Sequence, residues 1–300
     1  MIPAVAAIVC IAVLLLTPQS AFAWGPVTHI ALGVQVLANV ITPDHPLRAA
    51  LLAFPDVFLY GSLAPDIVQG RRLQSRLRRH SHNWATAASL LKAAPDDEER
   101  AFAYGYLAHL AADVVAHNFF LPARFVGRFD SGVASHILTE ARFDSFHDKG
   151  FRDQLAGLMN ADFSELDSIL KEAIDSPFIA FEAHRGIFGG ALKRIRQFDS
   201  VVRSLGGPSE SERRDVELFT AASSSAIAGM LSQPEHGAAS RFDPMGEEAV
   251  RSALKTRRDL ARLRRMSPNA RQTARRLADT MIKDLVAHLR RSPFGAASQS

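Results

Sequence analysis

Apolar positions along the chain recur mainly at helical spacing, and no stretch shows the regular alternation of apolar and polar residues that predicts a strand. The pattern predicts an all-α fold, a multi-helix bundle with an additional helical carboxyl-terminal portion. The predicted helices cover approximately residues 26–40, 86–94, 98–117, 131–146, 164–174, 178–205 and 216–232, with a further amphipathic stretch over 246–289.

The first 23 residues contain no charged side chain, and an apolar run from Ala4 to Leu16 is followed by Ala21-Phe22-Ala23. An apolar run ending in an A-x-A site is typical of a secretory signal peptide. We therefore expect residues 1–23 to be removed, so that the mature chain begins at Trp24 and is secreted or periplasmic. A positively charged start is missing. The alternative is an uncleaved membrane anchor, although the run is short for a span of about 20 residues.

The rest of the chain divides by composition at Gly206-Gly207-Pro208-Ser209. Residues 24–205 are predicted to form the helical domain that carries the candidate chemistry. Residues 206–300 form a helical, basic portion that is either a separate lobe or part of the same domain. Between Arg251 and Arg291, thirteen Lys and Arg stand against three Asp. Such an excess suits a polyanion or an anionic membrane surface, and an ordinary solvated helical face is the alternative.

One predicted helix, containing YGYLAHLAADVVAHNFF, places His109, Asp113 and His117 four residues apart. Because a helix turns by about 100° per residue, the three side chains share one stripe about 80° wide. The residues between them are Leu, Ala and Val, which indicates that this stripe is buried. Burying these groups without partners would cost a few kcal/mol each, so a divalent cation bound to all three is the simplest compensation.

Other candidate ligands flank this helix. His136 and Glu140 lie one helical turn apart and are suitable for zinc, although such pairs are also common on helix surfaces. Asp66 follows a proline at a predicted turn or helix start, where a cap is the alternative role. His80 and His82 follow, and both remain candidates. Cys10 is the only cysteine and lies in the predicted leader, so the mature chain has no thiolate ligand. The histidines expected to be ordinary surface residues are His45, His147, His184, His236 and His288.

As an ordered set, these residues resemble the zinc-dependent phospholipase C family, which shares its fold with the single-strand-specific zinc nucleases. The resemblance covers about residues 24–146 and includes WGPVTH, with Trp24 and His29. It implies a helical bundle of the phospholipase C and zinc nuclease type, and a phosphodiester hydrolase that binds three zinc ions. The ligands implied are Trp24, His29, Asp66, His82, with His80 as its alternative, His109, Asp113, His117, His136 and Glu140.

In that family the amino-terminal tryptophan binds metal through its free α-amine and its carbonyl oxygen, so removal of the leader would complete the site. By resemblance, the first zinc is held by Trp24, His29 and Asp113. The second is held by Asp66, His82, His109 and Asp113. The third is held by His117, His136 and Glu140. Asp66 is also the candidate catalytic residue that orients or deprotonates the attacking water.

Two features depart from the family pattern. Three residues separate Asp113 from His117 where five are usual, and the short interval from Trp24 to His29 is closer to the nuclease branch. The reaction implied is zinc-dependent hydrolysis of a phosphate ester, with a glycerophospholipid at a membrane surface as the expected substrate.

The alternatives are a nuclease acting on single-stranded nucleic acid and a non-catalytic zinc-binding envelope protein. No protein partner is inferred. In a nuclease a group of phenylalanines would serve as base-stacking platforms, whereas core packing is their other interpretation. These residues are Phe119, Phe120, Phe125 and Phe129.

Overall fold

The computed structural model of the chain describes residues 24–67, 80–130, 142–174, 190 and 208–295. Within these ranges every regular element is helical, which confirms the predicted all-α fold. The α-helices of this described part are α1 (Pro26–Asn39), α2 (Arg48–Ala53), α3 (Pro55–Gly61), α4 (Ala64–Ile67), α5 (Trp84–Ala93), α6 (Asp97–Val115), α7 (Leu121–Gly127), α8 (Lys149–Asn160), α9 (Ser164–Ala173), α10 (Glu210–Ser232), α11 (Glu247–Arg264) and α12 (Pro268–Arg291).

Some predictions fall on residues outside the described ranges. These are the leader 1–23, most of the predicted helix 131–146 with the ligand pair His136 and Glu140, His184, and most of the predicted helix 178–205. Among the described residues, none of the helices combines the length and apolarity needed to cross a membrane.

Local signals explain where the helices begin. Pro26 occupies the first turn of α1, where its missing N–H costs no hydrogen bond. The side chain of Asp96 accepts a hydrogen bond from the backbone of Glu99 and caps α6. The stretch predicted over 246–289 is two helices, because Pro268 cannot continue α11 and instead begins α12 behind the cap residue Ser267.

The longest buried element is α6, whose residues from Ala101 onward are buried except for Tyr104. Helices α3, α5 and α10 pack directly against it. At the crossing with α3, Gly61 and Gly105 face each other so closely that a side chain on either would collide with the other helix. This contact brings the end of α3, and the short helix α4 after it, beside the polar stripe of α6.

The carboxyl-terminal helices continue the same core. Helix α10 packs on α6 and α1, and Phe219 and Met230 of α10 are buried in the cluster that also contains Trp24. Helices α11 and α12 form an antiparallel pair that packs on α7. A π-helical turn at Ala116–Phe120 joins α6 to α7 and widens the helix where the polar stripe ends.

Candidate metal centre

Five ionisable side chains from four segments meet at the middle of α6. Each is at most 2% exposed. His29 comes from α1, Asp66 from α4, His82 from the residues before α5, and His109 and Asp113 from α6 itself. The sequence placed all five among the candidate ligands, and the structure brings them together.

The donor atoms of this cluster lie close together. Nε2 of His29 is 3.4 Å from Oδ1 of Asp113, and Nε2 of His109 is 3.3 Å from the other oxygen, Oδ2. Nε2 of His82 is 3.2 Å from Oδ1 of Asp66 and 3.2 Å from Nε2 of His109. Two groups have ligand atoms that all lie within 4.8 Å of one another: His29, Asp66 and His109, and His82, His109 and Asp113.

These separations fit a zinc site. Two ligand atoms bound to one tetrahedral zinc ion at about 2.0–2.1 Å are themselves about 3.3–3.4 Å apart. Within the described part of the chain, neither oxygen of Asp113 nor Nε2 of His29 has a hydrogen-bond partner of acceptable geometry. Buried polar atoms without partners are rare, and a cation that binds them removes the energetic cost. The donor set is nitrogen and oxygen, which zinc accepts.

Neighbouring groups orient two of the imidazoles toward this centre. Nδ1 of His109 donates to the backbone carbonyl of Ser62 at 2.8 Å, which leaves Nε2 as the ring nitrogen that can bind a metal. Nδ1 of His82 lies 2.9 Å from the hydroxyl of Ser81, and the carbonyl of Ser81 in turn accepts a hydrogen bond from the phenol of Tyr106.

His80 has a different position. Its Nδ1 accepts a hydrogen bond from the backbone N–H of His82 at 3.2 Å, and the residue is half-buried. It belongs to neither of the two groups of close donor atoms. The geometry therefore favours His82 over His80 as the ligand from this segment, and His80 helps to hold the backbone of His82 in place.

Charge in the centre is set by the carboxylate of Asp113. Burial by itself raises the pKa of Asp113, but His109 and His117 act against it, and the pKa lies well below its usual value. Burial lowers the pKa of His109, but Asp113 and Asp66 raise it by a larger amount, so the net shift is upward. Burial and the neighbouring His109 lower the pKa of His29. The carboxylate of Asp113 is therefore ionised, as metal binding requires, whereas the raised pKa of His109 means that a metal ion must displace a proton from this imidazole.

His117 sits at the edge of the cluster, in the π-helical turn. Its Nδ1 donates to the backbone carbonyl of Pro244 at 2.6 Å and is 3.8 Å from Oδ2 of Asp113. The hydrogen bond to Pro244 leaves Nε2 as the nitrogen available for a metal. His117 belongs to neither group of close donor atoms, and His136 and Glu140, its expected partners at a third zinc, lie outside the described residues.

Trp24 is fully buried beside the centre. Its indole N–H donates to the carbonyl of Ala112, the residue before Asp113, at 3.1 Å, and lies 3.2 Å from the hydroxyl of Ser223. The ring packs on Phe120 and Phe143, with centroid distances of 4.7 and 4.6 Å. The side chain therefore anchors the start of α1 to the segment of α6 that carries the polar stripe.

Several residues that support the centre were not identified from the sequence. Ser223 and Pro244 lie in the carboxyl-terminal portion, where no motif was recognised, and Asp144 caps α1. His147 was expected at the surface, and that prediction is wrong. It is half-buried, and its Nε2 lies 3.0 Å from the hydroxyl of Thr28. Short local patterns carry no signal for contacts between residues more than one hundred positions apart.

The four phenylalanines considered as base-stacking platforms are core residues. Phe119, Phe120, Phe125 and Phe129 are each at most 4% exposed. A ring that stacks on a nucleic-acid base must present a face to solvent. The interpretation as core packing is therefore the one that the structure supports.

Comparison with known proteins agrees with the site. A family model described as "Zinc dependent phospholipase C" matches residues 28–191, which is more than half of the chain. The match contains His29, Asp66, His82, His109 and Asp113, and it ends before α10. Neither a search of curated proteins nor a search of solved structures finds a significant match. The buried His and Asp cluster and the family match lead to the same conclusion: the chain belongs to the zinc-dependent phospholipase C family.

Proposed function

We propose that the protein is an exported phospholipase C that hydrolyses glycerophospholipids with zinc held by the His and Asp cluster. The proposal depends on one observation above all. Three imidazoles and two carboxylates, all buried, each have a donor atom within 3.2–3.4 Å of a donor atom of another, which is the spacing that zinc ligands adopt. Family membership supports the reaction class, a hydrolase that acts on lipid.

The side chains of the cluster have different roles, which follow from their positions. Asp113 offers one oxygen toward His29 and the other toward His109 and His82, so each of its oxygens would hold zinc together with a different imidazole set. Zinc, when bound, would supply Lewis acidity toward the phosphate oxygens and activation of water near neutral pH.

Asp66 is the residue we assign to the attacking water. It is 1% exposed, and its Oδ1 lies 3.2 Å from His82 and 3.8 Å from His109. A carboxylate in this position can accept a proton from water and hold the oxygen in line with the phosphorus. Its short helix, α4, is fixed in place by the close crossing of α3 and α6.

Export belongs to the proposal because it would expose the α-amine of Trp24. That amine has an ordinary pKa near 8 and can bind zinc once it is free, whereas an acylated nitrogen cannot. The hydrogen bond from the indole N–H to the Ala112 carbonyl supports this role, because it attaches Trp24 to the residue directly before Asp113. Amino-terminal sequencing of the exported protein should give Trp24 as the first residue, and Met1 would contradict this part of the proposal.

The substrate is tested by assaying the zinc-loaded protein side by side on phosphatidylcholine, phosphatidylethanolamine and single-stranded DNA. We expect release of phosphorylated headgroups and diacylglycerol, with the DNA left intact. Release of nucleotides with intact lipid would overturn the choice of substrate and favour a nuclease. Bound zinc with no turnover of any of the three would favour the non-catalytic zinc-binding protein.

Three variants connect the activity to the cluster. Asp66→Asn should lower kcat by about 10²–10⁴-fold, the usual contribution of a general base. Asp113→Asn should lower both activity and bound zinc, because it removes a charge from two metal positions. The control is His236→Asn, at an exposed histidine far from the cluster in sequence, and it should leave both unchanged. Equal effects of Asp113→Asn and His236→Asn would contradict the assignment.

A further inference from the structure

From the charges of helices α11 and α12 and the exposed Met266 between them, we infer that this helix pair with its turn, here called the basic hairpin, is a docking surface for membranes containing anionic phospholipid. The inference rests on the proposed function in one respect, since it supplies the enzyme's route to its substrate. Binding to a membrane can nevertheless be measured without any hydrolysis.

Positive and negative side chains are unevenly distributed along the sequence. Residues from Arg251 to Arg291 carry thirteen Lys and Arg against three Asp, whereas the rest of the sequence carries 22 Lys and Arg against 28 Asp and Glu. The net charge is therefore +10 in this segment and −6 elsewhere, by formal count. A molecule with this distribution turns its basic end toward an anionic surface as it approaches.

The basic residues of α11 form a stripe on its outer face. Arg251, Lys255, Arg258 and Arg262 fall within about 60° around the helix, because they are separated by four, three and four residues. The buried residues Ala253 and Leu260 lie on the opposite side. Arg251, Lys255 and Arg262 are 76%, 75% and 82% exposed, so the stripe faces solvent along about 16 Å of helix.

Helix α12 repeats the arrangement. Arg276, Lys283 and Arg290 are seven residues apart, lie within about 40° around the helix and extend over about 21 Å. Ala274, Ala278 and Leu289 face the core from roughly the opposite side. No ion pair connects Arg258, Arg276, Lys283 or Arg290 with any described residue. Their charges are not neutralised by described carboxylates and are available for an anionic partner.

An exposed apolar residue on the same hairpin distinguishes a lipid surface from a nucleic acid. Met266, in the turn between the two helices, is 77% exposed and follows Arg264 and Arg265. Leu277 and Met281, one turn apart on α12, are 47% and 38% exposed but lie about 100–180° around the helix from Arg276, Lys283 and Arg290. Met266 is therefore the apolar side chain beside cations, a combination that suits the boundary between headgroups and acyl chains, whereas a phosphate backbone gives it no favourable contact.

The test is sedimentation of the full-length protein with phosphatidylcholine vesicles that contain about one part in three of phosphatidylglycerol. EDTA is present, so that no lipid is hydrolysed. We expect binding to these vesicles, little binding to vesicles of phosphatidylcholine alone, and loss of binding at about 1 M salt, where charges are screened within about 3 Å. Equal binding to both kinds of vesicle would overturn the inference.

Two sets of variants separate the two kinds of contact. The first set replaces four cations of the stripes by glutamine at Arg258, Arg262, Arg276 and Lys283, and should weaken vesicle binding by at least about tenfold. The second, Met266→Ser, should weaken vesicle binding several-fold while leaving any binding to single-stranded DNA unchanged. If the second set has no effect on vesicles and the first weakens DNA binding alone, the surface binds nucleic acid, and the inference is wrong.

A matched control removes four exposed cations elsewhere: Lys92, Arg100, Lys149 and Arg214, each to glutamine. It changes net charge equally and should leave vesicle binding within about twofold of wild type. Hydrolysis of a short-chain, monomeric phosphatidylcholine should be unchanged in all the hairpin variants. If the wild-type protein bound vesicles but did not hydrolyse this lipid, the result would count against the proposed function and not against the docking surface.

Discussion

Gly25 lies directly against the carboxylate of Asp144, so closely that a methyl group on its Cα would collide with both carboxylate oxygens. The same carboxylate accepts hydrogen bonds from the backbone N–H groups of Val27 and Thr28, at 3.2 and 3.0 Å, and from the Thr28 hydroxyl at 2.6 Å. It therefore caps the first turn of α1, between Trp24 and the candidate ligand His29. Asp144 fixes the part of the chain where two predicted metal ligands are only five residues apart.

The first prediction follows from this contact. Gly25→Ala should lower the free energy of unfolding by about 1–3 kcal/mol, because Asp144 is held by three hydrogen bonds and cannot move away from a new methyl group without losing one of them. Zinc content should fall as well, since Trp24 and His29 would shift together. Urea unfolding and elemental analysis measure the two effects.

Gly157→Ala is the matched control for that substitution. Gly157 lies inside α8 with nothing near the position of a new Cβ, so alanine should be neutral or should stabilise the helix by up to about 1 kcal/mol. If Gly25→Ala and Gly157→Ala changed the free energy of unfolding equally, the close contact with Asp144 would not explain why residue 25 is glycine.

A short polar chain behind this cap carries two opposite pKa shifts. Nε2 of His147 contacts the Thr28 hydroxyl, which donates to Asp144. Burial raises the pKa of Asp144 to about 6, against hydrogen bonds from Thr28 and Val27 and the charge of Arg152. Burial, with a further contribution from Arg152, lowers the pKa of His147 to about 4. Neither shift has the other residue as a cause.

The two shifts predict pH dependences of stability that cancel. Between about pH 4 and 6 the folded state holds a proton on Asp144 that the unfolded chain has lost, so this group lowers stability by about 3 kcal/mol as pH rises. Between about pH 4 and 6.5 the unfolded chain holds a proton on His147 that the folded state lacks. This group raises stability by a similar amount as pH rises.

Removing one group should reveal the other. Relative to wild type, Asp144→Asn should gain stability as pH rises from 4 to 6.5, and His147→Gln should lose stability over the same range. Urea unfolding in EDTA at several pH values measures both, and the titrations of the metal-site histidines cancel in the comparison with wild type. Parallel curves for the three proteins would show that the two pKa values are not shifted as described.

The sequence was sufficient for those features of the centre that depend on one helix. The spacing of His109 and Asp113 requires only a regular helix, and α6 supplies it. Most long helices were also predicted, because their apolar positions recur at helical spacing. The spacing of His117 was read as a continuation of the same helix, whereas the chain has a π-helical turn over Ala116–Phe120, directly before the helix that begins with Leu121 and Pro122.

What the sequence did not reveal are contacts made by the backbone and by distant residues. The carbonyl groups of Ser62 and Pro244 orient His109 and His117, but every residue has a carbonyl group, so no residue type marks this role. Gly61 and Gly105 allow α3 and α6 to approach, yet each is only one of 18 glycines in the chain. The family resemblance proposed ligands from four separate segments because it compares an ordered series of residues, which periodicity alone does not.

A further prediction separates the two histidines that the sequence left open. His82→Ala removes a direct ligand and should weaken zinc binding by at least about 100-fold. Loss of a residue that only supports a ligand costs up to about 100-fold, so loss of a ligand should cost at least as much. His80→Ala removes the acceptor for the backbone N–H of His82 and should weaken zinc binding by no more than about tenfold. Competition with a zinc chelator measures both affinities. A larger loss in His80→Ala would reverse the assignment.

The last prediction concerns the contact between the carboxyl-terminal segment and His117. Gly246 has a positive φ of 53°, and a Cβ there would lie 2.7 Å from backbone and side-chain atoms of His117. Gly246→Ala should therefore destabilise the fold by about 1–2 kcal/mol from backbone strain, with a further cost from crowding. Pro244, which lies two residues before Gly246, accepts the hydrogen bond that orients His117. Zinc content should therefore fall too.

Two further substitutions show which cause dominates. Gly246→Asn tolerates the left-handed backbone better than alanine but crowds His117 at least as much, so it should remain destabilised if crowding is the main term. Gly229→Ala, inside α10 with open space at the new Cβ, should be neutral or stabilising. A Gly246→Ala protein with wild-type stability and a full complement of zinc would mean that the segment from Phe242 to Gly246 only covers the centre, and does not hold His117 in place.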